Sequence, residues 1–194
     1  EREMGGVGRG TQRVEDQHFE VFEQRPRGIG DGAAVGQVGE RSDPVAEDDR
    51  LAVVDGDRRL TYGELAELVR RAAARVAAET RRDQVGIYLP ASAGFKIAFF
   101  GVLASGRTAV PLNLFLTTEE LGAIIDHSEV DLVITCRELA GTLPEGPARC
   151  LLVDELAGTE SAADPLPRAE DRLAVLLYTS GSSGRPKGVR LSHR

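Results

Sequence analysis

The sequence predicts an α/β domain in which helices pack on the faces of a largely parallel β-sheet. From residue 50 onward, short apolar runs typical of strands alternate with segments of helical periodicity. Two of these segments open with a capping box, Thr-x-x-Glu, which marks the start of a helix. With 194 residues, 41% of them hydrophobic, the chain is long enough to bury a core.

The predicted domain begins with a β-hairpin and a long helix. Two strands over 51–60 flank the turn sequence Asp-Gly-Asp. Thr61 and Glu64 form the first capping box, because a hydroxyl and a carboxylate three residues apart can bind the exposed N–H groups of a helix start. Apolar residues recur at helical spacing from there to about Glu79.

A strand over 85–89 leads into a second, strongly apolar helix over 92–105. Ser92 can cap its start, and Gly106 is expected to end it in the left-handed conformation. Large apolar residues occupy nearly every face of this helix, which predicts that the helix is buried. They are Phe95, Ile97, Phe99, Phe100, Val102 and Leu103.

The remaining segments continue the alternation of strands and helices. They are a strand over 108–112, a helix that Thr117 and Glu120 open with the second capping box, a strand over 130–135, a short helix over 137–143, a strand over 150–153 and a surface loop over 155–171. Connections of this kind place consecutive strands in parallel, so they favour the parallel sheet.

Residues 1–45 differ in character from the domain that we assign to 46–194. They carry nine glycines, and their few large apolar residues show no sustained period. Such a segment buries too little apolar surface to offset its loss of conformational entropy. We therefore expect a disordered leader, or a stretch that is not genuine coding sequence.

The segment 173–187, LAVLLYTSGSSGRPK, predicts the functional site. Its first half is apolar and partly β-branched, which is typical of a buried strand. Its second half combines hydroxyl groups, glycines whose backbone can turn N–H groups toward an anion, and a lysine. We therefore predict that this loop binds the polyphosphate of a nucleotide. The predicted binding residues are Thr179, Ser180, Gly181, Ser182, Ser183, Gly184 and Lys187.

Two other interpretations of this loop are disfavoured. The Walker phosphate loop requires Gly-Lys-Ser/Thr, whereas Pro186 precedes Lys187 and Gly188 follows it. A flexible Gly/Ser linker would not follow a buried strand or continue into Arg-Pro-Lys-Gly-Val.

Residues 178–188 resemble the phosphate-loop signature of the adenylate-forming (ANL) superfamily, AMP-dependent ligases that include acyl-CoA synthetases and the adenylation domains of nonribosomal peptide synthetases. The family pattern is Tyr-Thr-Ser-Gly-(Ser/Thr)-Thr-Gly-x-Pro-Lys-Gly, and this chain departs from it at Ser183, where threonine is usual. Residues 60–65 and 103–113 resemble the first and second core motifs of the family. The resemblance spans about residues 48–194, the first part of the family's large N-terminal domain.

The resemblance implies a ligase that activates a carboxylic acid. In this family the carboxylate attacks the α-phosphate of ATP, with Mg²⁺ on the phosphates, to give an acyl-adenylate and pyrophosphate. The acyl group then passes to coenzyme A or to the phosphopantetheine of an acyl carrier protein. Residues 98–101 and 110–113 look more like fatty-acyl ligases than amino-acid-activating domains, which favours a fatty acid as substrate.

The same resemblance assigns no catalytic residue and no metal ligand to the chain. The family's carboxylate pocket, adenine-binding segment and catalytic lysine fall beyond residue 194. We therefore interpret the sequence as a fragment and expect residues 1–194 alone to be inactive.

Composition disfavours several other classes of protein. A net charge of −7 argues against nucleic-acid binding, and no apolar run approaches the length of a membrane span. Cys136 and Cys150 are too far apart for a local metal pair. Because the sequence shows no secretory segment, we expect both to be reduced thiols in a cytoplasmic protein. One alternative stays open: a nucleotide- or phosphate-binding α/β module without catalytic activity, whose loop resembles the signature by accident.

Overall fold

The computed structural model describes residues 21–23, 48–146, 148–156, 158, 172–180 and 186–193. The strands are β1 (Val21–Glu23), β2 (Leu51–Asp55), β3 (Arg58–Thr61), β4 (Gln84–Tyr88), β5 (Thr108–Pro111), β6 (Leu132–Thr135), β7 (Arg149–Leu152), β8 (Leu173–Ser180) and β9 (Pro186–Ser192). The helices are α1 (Tyr62–Glu79), α2 (Ala93–Ala104), α3 (Thr118–His127) and α4 (Arg137–Ala140), with a 3₁₀ turn over Val153–Glu155.

Seven of the described strands form one sheet, in the order β1-β9-β8-β5-β4-β6-β7. The neighbouring pairs β8–β5, β5–β4, β4–β6 and β6–β7 are parallel. The pair β8–β9 is antiparallel. Strands β2 and β3 pair separately as a hairpin. The predicted α/β class with a largely parallel sheet is therefore confirmed.

Helices α1 and α2 pack on one face of the sheet, and α3 packs on the other. Successive strand residues alternate between the two cores, as the period of a strand requires. In β4, Ile87 contacts the core under α1 and α2, whereas its neighbour Tyr88 contacts the core under α3. In β5, Ala109 contacts the core under α1 and α2, and Val110 contacts the core under α3.

Both predicted capping boxes are present. Thr61 Oγ1 accepts from the Glu64 N–H at 3.1 Å, and the Glu64 carboxylate accepts from the Thr61 N–H at 2.8 Å. Thr117 and Glu120 repeat the arrangement at 3.2 and 2.8 Å. These bonds satisfy N–H groups that have no partner inside the helix, and so they fix where α1 and α3 begin.

The start of α2 has two polar partners. Ser92 Oγ accepts from the Phe95 N–H at 3.1 Å, as predicted for an N-cap. Asp55, at the end of β2, accepts from the Ala93 N–H at 2.8 Å. The hairpin that lies outside the main sheet is therefore attached to the first turn of α2.

The prediction that α2 is buried on every side is wrong at Phe100. Ile97, Ala98 and Val102 are buried against α1 and the sheet, but the Phe100 side chain is 46% exposed. The physical reason is that, among the described residues, α2 has core neighbours on one side, so a residue on its other side lies outside that core whatever its polarity. Gly106 does end the helix region with a positive φ of 81°.

Two other predictions meet the structure only in part. Within the predicted leader 1–45, residues Val21–Glu23 form a short strand that pairs in parallel with β9, and the other residues lie outside the described part. The predicted surface loop 155–171 is wrong at its start, because Glu155 belongs to the 3₁₀ turn and Leu156 is fully buried. Residues 159–171 lie outside the described part.

Among the helices that the structure describes, none is both long enough and apolar enough to cross a membrane.

Candidate functional site

The predicted phosphate loop joins two antiparallel strands, β8 and β9. The ladder runs to the loop itself, with Thr179 opposite Lys187 and Ser180 opposite Pro186. Of the seven predicted binding residues, the structure therefore places Thr179, Ser180 and Lys187 at the two arms of a hairpin. The other four, Gly181, Ser182, Ser183 and Gly184, lie outside the described residues.

Thr179 and Lys187 are direct cross-strand neighbours. Residues paired in this way project from the same face of the sheet, with their Cβ atoms about 4.5–5.5 Å apart. Thr179 is exposed and Lys187 is half-buried. A hydroxyl donor and a positive charge thus stand side by side at the mouth of the loop, an arrangement suited to an anion.

The position of this hairpin in the sheet is also typical of a ligand site. Strand β8 lies beside β5 and parallel to it, so the carboxyl ends of both strands face the same edge. Ligands of open α/β sheets bind at that edge. The chain that leaves β5 there holds a turn in which Asn113 Oδ1 accepts from the Phe115 N–H at 3.0 Å. The Phe115 side chain is 96% exposed.

Phe115 is a residue at this edge that the sequence interpretation missed. Its signal was an aromatic residue two positions after the second core motif, beyond the end of a strand. A single exposed apolar side chain is ordinary in itself, and only its place near the carboxyl ends of β5 and β8 makes Phe115 a candidate contact.

On its opposite face the hairpin is held by Tyr178. The Tyr178 hydroxyl lies 2.5 Å from Nδ1 of His127, at the end of α3, and the two rings meet edge to face with centroids 5.7 Å apart. Burial raises the pKa of Tyr178 to about 12, so the phenol is neutral near pH 7. Burial also lowers the pKa of His127, which favours the neutral imidazole.

Gly188 lies against the Tyr178 ring. It is the cross-strand partner of Tyr178, and a Cβ at Gly188 would lie 3.5 Å from Tyr178 Cε1 and 3.3 Å from Leu176 Cδ1. The Tyr178 ring is therefore in van der Waals range of the second strand at Gly188, and the tighter contact that a side chain there would make is with Leu176.

The prediction of a buried strand before the loop is wrong for one face of β8. Leu176 is buried under α3, but on the other face Leu177 is 38% exposed, and Leu191 of β9 is 36% exposed. The core under α1 and α2 ends at β5 among the described residues, so the corresponding face of β8 has no described helix over it.

The described residues hold no group of three or more His, Cys, Asp or Glu side chains that could bind a metal ion. Cys136 and Cys150 form no disulfide among the described residues.

Comparison with known proteins identifies the family. The family model described as "AMP-binding enzyme" matches residues 41–194. Phosphinothricin tripeptide synthetase PhsC of Streptomyces viridochromogenes is 38% identical over 154 residues, which are 75% of this chain and 14% of that protein. Vanchrobactin synthetase VabF of Vibrio anguillarum is 35% identical over 152 residues, 75% of this chain and 5% of that protein. The chain therefore spans a small part of these relatives.

Solved structures agree with this assignment. The N-terminal subdomain of Klebsiella oxytoca NpsA superposes with a TM-score of 0.66 at 27% identity, over 75% of this chain and 38% of that one. The o-succinylbenzoate coenzyme A synthetase MenE of Bacillus subtilis, in complex with AMP, gives a TM-score of 0.66 at 30% identity, over 74% and 39%. The nonribosomal peptide synthetase FmoA3, in its AMPPNP-bound form, gives 0.68 at 29% identity, over 75% and 16%.

These comparisons bear on two of the expectations drawn from the sequence. An accidental resemblance of the loop is ruled out, because the family match covers residues 41–194 and the fold likeness covers 75% of the chain. A fatty acid substrate gains no support, since the relatives above include peptide synthetases and an o-succinylbenzoate ligase. The chain belongs to the AMP-binding enzyme family, within the adenylate-forming superfamily.

Proposed function

We propose that this chain provides the phosphate-binding part of an enzyme that uses ATP to convert a carboxylate into an acyl-adenylate. The observation that carries the proposal is the hairpin in which Thr179 and Lys187 stand side by side at the mouth of the loop. Family membership supports it, as do the solved relatives that bind AMPPNP and AMP.

The proposed reaction places a specific demand on these residues. A carboxylate oxygen bonds to the α-phosphorus of ATP while the bond from that phosphorus to the bridging oxygen breaks, and pyrophosphate leaves with the electron pair. Negative charge grows on the pyrophosphate during this step. A hydroxyl donor at Thr179 and an ammonium group at Lys187 stabilise that charge, and they act most strongly as the charge develops.

The remaining loop residues are assigned the same task from the motif. Ser180, Ser182 and Ser183 supply further hydroxyl donors, and Gly181 and Gly184 let backbone N–H groups turn toward the phosphates.

The donor set is compatible with Mg²⁺, the metal that the family implies. Mg²⁺ prefers hard oxygen ligands and is commonly held by substrate phosphates with few protein groups. The Thr179 hydroxyl is a ligand of that kind, and the lack of a carboxylate cluster among the described residues fits a metal held chiefly by ATP. When bound, Mg²⁺ would neutralise part of the negative charge of the phosphates.

We infer the class of substrate and the acceptor from the proteins to which the chain is similar. They include peptide synthetases, so we propose an amino acid or aryl acid as the carboxylate, and the phosphopantetheine thiol of a carrier protein as the acceptor. The experiment also includes the competing choices. The competing substrate is a fatty acid, which residues 98–101 and 110–113 favour, and the competing acceptor is coenzyme A, which is named for MenE.

The test is carboxylate-dependent exchange of labelled pyrophosphate into ATP by the full-length protein, with amino acids, aryl acids and fatty acids as separate panels. Lys187→Ala should lower the exchange rate by about one to two decades, as expected for one charge-assisted contact. Lys96 provides the matched control, because it is the other lysine of the chain and lies exposed on α2. Lys96→Ala should exchange at the unsubstituted rate. Equal rates and equal ATP affinities in the two variants would refute the proposed role of the loop.

With the carboxylate identified, the acceptor is tested by supplying coenzyme A and a phosphopantetheinylated carrier protein in separate reactions. Transfer of the labelled acyl group to the carrier protein is the expected result. Transfer to coenzyme A alone would overturn the proposed acceptor and leave the adenylation step intact.

A further inference from the structure

The contact between Tyr178 and His127 joins the site to a helix that supplies none of the predicted phosphate-binding residues. His127 is the last residue of α3, and 51 positions separate it from Tyr178. The hydroxyl lies 2.5 Å from Nδ1, and the partly buried Tyr178 side chain packs against the core under α3. The side chain of Ser128, the residue after His127, also hydrogen-bonds the phenol. Since the phenol is neutral near pH 7, its O–H can donate to the neutral imidazole.

The Tyr178 ring contacts both arms of the hairpin next to the binding residues. Along β8, Tyr178 immediately precedes Thr179, so the two side chains lie on opposite faces of the strand. Across the ladder, the ring lies against Gly188, which immediately follows Lys187. A shift of this ring would therefore displace both strands at the rung next to the Thr179–Lys187 pair.

We propose that Tyr178 is a positioning residue for the phosphate loop, and that its hydrogen bond with His127 holds the Thr179–Lys187 pair in register. The bond fixes the ring against α3, the ring fixes the spacing of the two arms, and the arms present the hydroxyl and the ammonium to the phosphates. This inference rests on the proposed phosphate-binding function and adds the residues that hold the site in place.

The test removes one hydroxyl while it keeps the ring. Tyr178→Phe in the full-length protein should lower the affinity for ATP, measured by calorimetry, about fivefold, as expected for the loss of one hydrogen bond. The KM for ATP in the exchange reaction should rise in parallel, and the KM for the carboxylate should stay unchanged. His127→Leu should reproduce most of the loss, and the double variant should lose no more than Tyr178→Phe alone.

Tyr88→Phe is the matched control. Tyr88 is a buried tyrosine in the same core under α3, and its hydroxyl accepts from Thr142 Oγ1 at 3.4 Å. It should bind ATP with the affinity of the unsubstituted protein. His127→Gln, whose amide oxygen can accept from the Tyr178 hydroxyl, should recover most of the affinity that His127→Leu loses.

A purely structural contact would give a different pattern. Tyr178→Phe would then lower the thermal midpoint and leave the ATP affinity of the folded protein unchanged, and this result would overturn the inference. Equal losses in Tyr178→Phe and Tyr88→Phe would overturn it as well. Should Tyr178→Phe fail to fold, the comparison of His127→Leu with His127→Gln decides in the same way.

These outcomes are distinct from failure of the proposed function. If the unsubstituted protein shows no carboxylate-dependent exchange, the enzymatic proposal fails, whereas ATP affinity still tests the positioning role. If it exchanges normally and Tyr178→Phe matches it in both affinity and KM, only the positioning role fails.

Discussion

Gly101 of α2 lies against Ala72 of α1 without room for a side chain. A Cβ built at Gly101 would lie 2.5 Å from the Cβ of Ala72, well inside any contact that real Cβ atoms make. Both residues are buried, and Ala72 is fully so. The two helices that cover this face of the sheet are therefore packed backbone against backbone at this point.

Gly101→Ala should destabilise the fold even though alanine is the better helix former. The added methyl group has to push the two helices apart, and overpacking of this kind costs about 1–3 kcal/mol. Gly122 of α3 is the control, because a Cβ there would meet only Pro144 at 3.6–3.7 Å. Gly122→Ala should raise the free energy of unfolding by up to about 1 kcal/mol. Urea denaturation of both variants measures the difference, and an equal effect at the two glycines would contradict the close packing.

The two sides of α2 should respond differently to truncation. Ile97 is 5% exposed in the core, so Ile97→Ala should lower the free energy of unfolding by about 2–5 kcal/mol. Phe100 is 46% exposed, so Phe100→Ala should cost less than about 1 kcal/mol despite the larger side chain that it removes. Chemical denaturation of the two variants checks this order. A greater loss for Phe100→Ala would show that a further element covers that side of the helix.

Stability should fall on mild acidification because of His127. Burial lowers its pKa below the ordinary 6.5, so between the two values the folded chain binds fewer protons than the unfolded chain. The contribution of this group is therefore complete above about pH 6.5 and is lost as the pH falls through the lowered pKa. The urea midpoint of the unsubstituted protein should drop more between about pH 7.5 and about pH 5.5 than that of His127→Gln. Identical drops would mean that His127 titrates in the same way in both states.

The motif should tolerate one substitution in the loop and resist another. Ser183→Thr keeps the hydroxyl and restores the residue usual in the family, so pyrophosphate exchange should stay within about twofold of the unsubstituted rate. Lys187→Arg keeps the charge but replaces a compact ammonium with a planar fork, and should retain less than about a tenth of the activity. Exchange assays under identical ATP concentrations measure both. Full activity of Lys187→Arg would show that position 187 needs only a positive charge.

Features set by short-range contacts were predictable from the sequence, and features set by the assembled fold were not. The caps at Thr61 and Thr117 follow from residues three positions apart, which is why the starts of both helices were predicted. The exposure of Phe100 and Leu177 depends on which elements cover them, and no local pattern contains that information.

The candidate site divides in the same way. Its residue types were predicted, because hydroxyls, glycines and a lysine in one short loop point to a phosphate whatever the fold. The antiparallel return of β9, which sets Lys187 opposite Thr179, came only from the structure. The contact of Tyr178 with His127 also required the structure, because it joins positions that are distant along the chain.

The attachment of Asp55 to α2 has a consequence for where a nucleotide can bind. The first turn of a helix that follows a parallel strand carries a partial positive charge, and in many α/β proteins it attracts a phosphate. Here the carboxylate of Asp55 already accepts the Ala93 N–H of that turn, so a second anion arriving there would be repelled by a like charge. Polyphosphate is thus disfavoured at the start of α2, which leaves the hairpin between β8 and β9 as the electrostatically preferred location of the two.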